Sequence, residues 1–285
     1  MLTPQLESLI RWALVEDIGP GDITTTSTVP SGTAARGCIS AGEPLVVAGI
    51  EVACRVFSMV DRELQISVLL DDGSVANPGD RIVELQGEAR AMLSAERTAL
   101  NFLQRLSGIA TLTKKFVQSV QGSTARIVDT RKTTPGWRVL EKAAVRAGGG
   151  ANHRFGLYDG VLIKDNHLAV VGAISEAVRA ARNRIPHTVK VEVEVETLEQ
   201  LEEALAAGAD AVLLDNMPVS MIAAAVQRTG GRVLLEASGG VTLENVKEIA
   251  ATGVDFISIG ALTHSARAVD MSMEIVTETP QVVVV

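Results

Sequence analysis

Apolar and polar positions follow two rhythms along the chain. Beyond about residue 120, short apolar runs alternate with stretches in which an apolar residue returns with helical spacing. The runs lie at 126–129, 160–164, 189–195, 211–215, 233–236 and 256–259 and have the length and content of buried strands. Helical spacing occupies 173–184, 198–207, 219–228 and 243–251. That alternation predicts βα units around a parallel sheet. The first part is irregular. Thr3 and Pro4 read as the N-cap and first residue of a helix reaching about Glu16, before the turn-rich Asp17-Ile18-Gly19-Pro20-Gly21-Asp22. Strand-like pieces follow at 34–40, 44–48, 64–70 and 81–86. A long helical pattern at 89–120 is expected to break near Ser107-Gly108. This part predicts an antiparallel α+β unit.

Chemistry gathers at the ends of the later strands. They finish in Asp129-Thr130-Arg131-Lys132, Lys164-Asp165-Asn166-His167, Glu194 with Glu196, Asp215-Asn216, Glu236-Ala237-Ser238-Gly239-Gly240 and Gly260-Ala261. A doubly wound sheet would share the alternation. Polar residues at one end of every strand favour a barrel, whose active site is assembled there. Lys190-Val191-Glu192-Val193-Glu194-Val195-Glu196 alternates strictly, so its glutamates share one face and its valines the other. In a barrel the valines pack on helices and the glutamates point inward, where they need cations. Glu194, Glu196 and Asp215 are candidate ligands for Mg²⁺ or sugar hydroxyls. Ser238-Gly239-Gly240, before a helix expected from Thr242, and Gly260 to Ser265 together suit a phosphate pocket. Gly148-Gly149-Gly150 lacks the Gly-Lys-Ser/Thr of a P-loop and reads as a flexible hinge leading to Asn152-His153-Arg154.

Composition narrows the function. Aromatics are only 3% of a chain that is 47% hydrophobic, so Ala, Val, Leu and Ile fill the interior, as in a sheet buried on both faces. A net charge of −8 argues against nucleic acid as a partner. Between Arg97 and Lys164, however, lie Arg105, Arg126, Arg131, Lys132, Arg138, Lys142, Arg146, His153 and Arg154. Such a run is ordinarily a solvated face; in an acidic protein it can also collect an anion. Guanidinium forks suit carboxylates. A cationic half beside a carboxylate half suits joining a small polyanion to a metal-bound phosphorylated sugar, which is glycosyl transfer. Cys38 and Cys54 lack histidines at zinc-ligand spacing and read as reduced core residues. Without a signal-peptide pattern or a run of ~20 apolar residues, a cytoplasmic protein that does not enter membranes is expected.

Longer motifs carry a family resemblance. They are Glu16-Asp17-Ile18-Gly19, Gly21-Asp22-Ile23-Thr24-Thr25, Ala95-Glu96-Arg97-Thr98-Ala99-Leu100-Asn101 and Leu106-Ser107-Gly108-Ile109-Ala110-Thr111. Asp129 to Thr133, Gly148 to Arg154, Leu162 to His167, Leu213 to Asn216, Glu236 to Gly240 and Gly260 to Ser265 continue the series. In this order they resemble quinolinate phosphoribosyltransferases, the decarboxylating nicotinate-nucleotide pyrophosphorylases. The resemblance implies an open seven-stranded α/β barrel with an N-terminal α+β sandwich. Expected boundaries are 1–108 for the sandwich and 109–267 for the barrel, with 268–285 packing back on the sandwich. It implies transfer of phosphoribosyl from 5-phosphoribosyl 1-diphosphate (PRPP) to quinolinate, with Mg²⁺, in a homodimer that completes each site. Thr130, Arg131, Lys132, His153, Arg154 and Lys164 would form the quinolinate wall, joined by Arg97 of the neighbouring subunit. Glu194 and Asp215 would line the ribose and metal side, directly or through water, and act with Lys132 in catalysis. Ser238, Gly239, Gly240, Gly260 and His264 would surround the 5-phosphate. Asp71-Asp72-Gly73-Ser74 faintly resembles the acidic motif of another phosphoribosyltransferase class, but its setting predicts a hairpin turn. Two rivals remain: a relative acting on another aromatic acid, nicotinate-like or molybdenum-associated, and an inactive binding protein on the same barrel. The first should have a weaker cationic wall, the second an eroded Glu194, Asp215 or Lys132.

Overall fold

The computed structural model describes residues 3–277. In chain order the first elements are α1 (Pro4–Ile18), α2 (Ile23–Thr28), β1 (Ala34–Ala41), β2 (Leu45–Val46), α3 (Ile50–Val60), β3 (Gln65–Val68), β4 (Val75–Ala76), β5 (Arg81–Glu88) and α4 (Ala89–Ser119). Next come β6 (Arg126–Val128), α5 (Arg138–Ala147), β7 (Val161–Ile163), α6 (Asp165–Val171), α7 (Ile174–Arg182), β8 (Val191–Val195) and α8 (Leu198–Ala206). The last are β9 (Ala211–Asp215), α9 (Val219–Thr229), β10 (Leu234–Ser238), α10 (Val246–Ala251), β11 (Phe256–Ser258), α11 (Ala261–His264) and β12 (Met271–Thr277). The chain forms two compact units. One holds the residues up to Leu112, Arg146–Gly148 and those from Ala266 on; the other holds Thr113–Val145 and Gly149–Ser265.

In the first unit a four-stranded antiparallel sheet runs in the order β12-β1-β5-β3, and β2 pairs with β4. Thr3 Oγ1 accepts the Leu6 N–H and Pro4 opens α1, so the helix start follows from the two residues that predicted it. Asp22 caps α2 in the same way, accepting the Thr25 N–H at 2.8 Å. β12 pairs with β1 along its length; residues 278–285, part of the same expectation, lie outside the described residues. Asp71 to Ser74 is a turn but not a hairpin, because β3 pairs with β5 and β4 with β2. Asp72 instead accepts the N–H of Ile50 at the start of α3. Cys38 and Cys54 are free and only half-buried.

The expected break at Ser107-Gly108 does not occur: α4 is continuous. Gly108 serves close packing. A Cβ there would lie 2.0 Å from the carbonyl oxygen of Arg267, in a strap that Val269 N and Gln104 Nε2 tie to the helix.

The second unit is built on a parallel sheet in the order β6-β11-β10-β9-β8-β7. The first strand of the series pairs with the last, which is the order of a barrel and not of a doubly wound sheet. The seventh strand position is a single bridge: Ala151 pairs with Val128 on the outer side of β6. That side and β7 are the open edges among the described residues. Gly148 to Gly150 leads directly into that bridge. A Cβ on Gly150 would come within 2.9 Å of Thr113 and Val145, so glycine lets Ala151 reach β6. Val191, Val193, Val195, Val212 and Leu214 are buried toward the helices, each worth roughly 1.5–3 kcal/mol of burial. Glu192 and Glu194, on the opposite face of β8, line internal cavities. α5 and α6 were not expected, although α5 buries Leu140, Ala144 and Val145 at helical spacing. Among the described residues no helix is long and apolar enough to cross a membrane.

Helix propensity alone would make Gly108→Ala stabilising by about 1 kcal/mol. The approach to Arg267 reverses the sign, and a loss of about 1–3 kcal/mol is expected. Chemical denaturation of the variant decides between the two.

Candidate active site

A cavity of about 560 Å³ opens among the C-terminal ends of the parallel strands. Its cationic wall is held from behind by a buried ion pair. Asp129, at the end of β6, receives Lys142 of α5, and both side chains are fully buried. Asp129 also accepts the backbone N–H of His153 at 2.9 Å and the Asn152 amide at 2.6 Å. Lys142 donates as well to the carbonyl of His153 and lies over the Phe155 ring. Burial pushes Asp129 up and Lys142 down from their ordinary values, each toward neutrality. The contacts between them oppose that tendency and fix the loop carrying His153 and Arg154. Arg138 ties the same loop to the β6 end: its guanidinium donates to Thr133 and to the carbonyl of Phe155.

Arg131 and Arg154 face this cavity. Arg154 donates to the Gly160 carbonyl, and burial followed by repulsion from Arg131 pushes it below its ordinary value. Arg131 Nε is buried with no hydrogen-bond partner. Two like charges and an unmet donor on one wall are unfavourable unless an anion joins them. Lys164, at the end of β7, pairs with Glu194 of β8. Lys132 is exposed, and its carbonyl accepts from Thr263. A Cβ on Gly260 would lie 2.9 Å from Lys132 Cδ and 3.2 Å from the His264 ring, so the glycine makes room for both.

Opposite stand the carboxylates and glycines. Asp215 is in register with Ser238, and its carboxylate accepts from the Asn216 amide at 2.7 Å. Asn216 is left-handed (φ 52°), the single such non-glycine among the described residues. A Cβ on Gly239 would lie 2.1 Å from its side chain, so the two loops interlock only with glycine there. Gly239 and Gly240 are also left-handed. The helix expected from Thr242 begins at Val246, because Asn245 folds the intervening turn by bonding Thr242 N and Gly240 O. A left-handed glycine pair, and not a helix terminus, therefore follows β10 directly. Glu196 is exposed past the end of β8, in the turn capped by Thr197 and Gln200, and does not line the cavity.

His153 does not present a free ring. Its Nδ1 accepts the Arg154 N–H at 2.7 Å, while Nε2 faces Glu192 at 3.2 Å and Glu236 at 3.5 Å. Burial lowers its affinity for a proton, and the two carboxyls more than restore it. A second ring proton would break the bond to Arg154, so the partners assign the neutral form with its proton on Nε2. Burial, then Glu192, pushes the Glu236 carboxyl up to about 7.

A family model described as the C-terminal domain of quinolinate phosphoribosyl transferase matches residues 109–274, and the N-terminal domain model matches 22–107. The chain belongs to the quinolinate phosphoribosyltransferase family. A probable nicotinate-nucleotide pyrophosphorylase (carboxylating) of Bacillus subtilis is 46% identical over 271 residues, 95% of this chain and 93% of that one. The Mycobacterium leprae nicotinate-nucleotide pyrophosphorylase (carboxylating) is 48% identical over 272 residues, 93% and 95% of the two chains. The solved nicotinate-nucleotide pyrophosphorylase of Francisella tularensis superposes with a TM-score of 0.90 at 41% identity, covering 96% and 98%.

Of the residues the family pattern singled out, Thr130, Arg131, Lys132, His153, Arg154, Lys164, Glu194, Asp215, Ser238, Gly239 and Gly240 line the one cavity. Gly260 and His264 adjoin it through Lys132. Arg97 is exposed on α4 in the first unit. Sequence reasoning missed the supporting residues Asp129, Lys142, Asn152 and Glu236. A lysine among the apolar Leu140, Ala144 and Val145 was the available signal for the first pair.

Lys142→Met leaves Asp129 buried without its cation and should cost about 3–5 kcal/mol in denaturant unfolding. Asp129→Leu added to it should recover part of that stability, but not the position of the loop that Asp129 also holds.

Proposed function

We propose that the chain transfers phosphoribosyl from PRPP to quinolinate, giving nicotinate mononucleotide, diphosphate and CO₂. The observation that carries this reading is the Arg131–Arg154 wall, with a buried donor that no protein atom satisfies. A flat aromatic dianion meets both guanidinium groups; nicotinate, with one carboxylate, leaves one unmet, which disfavours the nicotinate-type rival. The ring nitrogen then faces the ribose held by the opposite wall. Ser238, Gly239, Gly240, Gly260 and His264 take the 5-phosphate, and Thr130 and Lys132 close the wall between the two substrates.

As the bond to diphosphate breaks, positive charge develops on the ribose. Glu194 and Asp215, already placed, stabilise that charge. The ring nitrogen takes the vacated position, and the cationic ring becomes the electron sink for loss of the adjacent carboxylate. Lys164 must loosen from Glu194 as it turns to the incoming dianion, which frees Glu194 for the ribose side. Two carboxylates with diphosphate oxygens make the hard oxygen donor set that suits Mg²⁺, so Glu194 and Asp215 would hold it, directly or through water. The ion would neutralise the leaving diphosphate. The main contribution of the protein is alignment of two polyanions. The working enzyme in this reading is a cytoplasmic homodimer in which Arg97 of a second copy completes the quinolinate wall.

Incubation with quinolinate, PRPP and Mg²⁺ should yield nicotinate mononucleotide and CO₂; use of nicotinate in preference to quinolinate would sink the assignment. Lys132→Ala or Arg154→Ala should nearly abolish turnover with an unchanged circular dichroism spectrum. Arg131→Lys, which loses the fork, should raise the quinolinate KM about ten- to a hundredfold, equivalent to ~1.4–2.8 kcal/mol. Sharing of the site is checked by mixing inactive Arg97→Ala and Lys132→Ala subunits: hybrid dimers of two-fold symmetry should restore about a quarter of the activity. A mixture that stays inactive although its subunits exchange would exclude a shared site.

A further inference from the structure

Loss of CO₂ leaves an electron pair on the ring carbon beside the nitrogen, and a proton must arrive there. The guanidinium groups of Arg131 and Arg154 keep theirs. Lys164, paired with Glu194 before the dianion arrives, is then taken up by the dianion's carboxylates, and the stem of Lys132 is held against Gly260. The proton-bearing centre left on the cavity wall is the cluster of His153, Glu192 and Glu236 inside the barrel.

We propose that Glu236 is the proton donor for this step, with His153 and Glu192 as the residues that position it. The inference rests on the decarboxylating reading above. Glu236 sits mid-strand on β10, in register with Leu213 of β9 and Phe256 of β11, with its side chain 6% exposed. It lines the substrate cavity and also a second cavity of about 300 Å³ among the N-terminal ends of the strands. The groups facing it are His153 from the loop after Ala151, Glu192 from β8, Lys164 from the end of β7 and Ser258 from β11. The ligating atoms of His153, Glu192 and Glu236 lie within 4.8 Å of one another. Because Nδ1 of His153 is occupied by the Arg154 N–H, the ring has one proton, on Nε2, shared between two carboxyls. Two carboxyls around one N–H away from water do not both ionise. The more buried one, Glu236, retains the proton. Its Oε2 faces the imidazole, its Oε1 is buried without a geometric hydrogen-bond partner, and the Ser258 hydroxyl stands beside the carboxyl.

The step balances. The bond from the ring carbon to the carboxylate breaks and CO₂ leaves while the electron pair takes the proton of Glu236 in the same step, so CO₂ release depends on that proton. The resulting carboxylate is stabilised by the Nε2–H of His153 and regains a proton from solvent through the second cavity.

Single-turnover rapid quench, following diphosphate and CO₂ separately, tests this. In the wild type, CO₂ release should fall as pH rises through about 7, where Glu236 loses its proton, and diphosphate release should not follow it. Glu236→Gln should slow CO₂ release at least about tenfold more than diphosphate release, so that the carboxylated nucleotide accumulates. Glu236→Asp, which keeps an acid, should recover part of the difference. Equal slowing of both steps in Glu236→Gln, or wild-type CO₂ release, would overturn the proposal. If the variants do not fold, the same pH dependence of both steps in the wild type overturns it. A wild type that releases no diphosphate from quinolinate and PRPP overturns the substrate assignment and the proton route with it.

Discussion

Lys142 and Asp129 meet where neither touches water, and the cationic half of the site is arranged around that contact. An ion pair at such depth contributes little net stability, because desolvation offsets most of the attraction. Its value lies in direction. Asp129 has enough lone pairs to take the lysine, the Asn152 amide and the His153 N–H together. A leucine pair could fill the volume and would leave His153 and Arg154 unplaced. The barrel lacks a full strand at this position, and side-chain hydrogen bonds do what a ladder does elsewhere.

The same economy recurs across the cavity. Asn216 and Gly239 lock two strand-end loops together through one close approach, and Gly260 yields its Cβ space to Lys132 and His264. Each positions a polar group by steric exclusion. Charges of both signs stand on opposite walls, and the Lys164–Glu194 pair spans them. The site before substrate is thus partly self-neutralised, with the Arg131–Arg154 side left in excess.

The barrel was legible in the sequence because outward-facing Val and Leu on the strands and polar strand ends both repeat. The inward placement of Glu192 and Glu194 followed from strict alternation alone. α5 has helical spacing at Leu140, Ala144 and Val145 but was passed over as part of the run of cations, and α6 is only seven residues long. Gly108 misled because glycine usually marks a helix break, and its reason here is a strap more than a hundred residues away in sequence. The cations were visible as a set, and the one local sign that Lys142 is buried structure, unlike Lys132, which lines the cavity, was its place among Leu140, Ala144 and Val145. Its partner Asp129 lies elsewhere in the sequence, and a single chain of letters does not display that pairing. Glu236 was hidden for a related reason: it reads as one more strand-end acid, and only the convergence of β8, β10 and the 152–154 loop gives it a histidine.

The lone bridge at Ala151 has a thermodynamic consequence. Two backbone hydrogen bonds to β6, the Asp129 knot and the Arg138 tie hold the loop that follows. Such a segment can open as its own cooperative unit, well below the free energy of unfolding the sheet. An anion that bridged Arg131 and Arg154 would need the loop in place, and would then raise its opening energy by mass action. Ligand occupancy and local rigidity are then one quantity, written into the barrel where its seventh strand is reduced to a single residue.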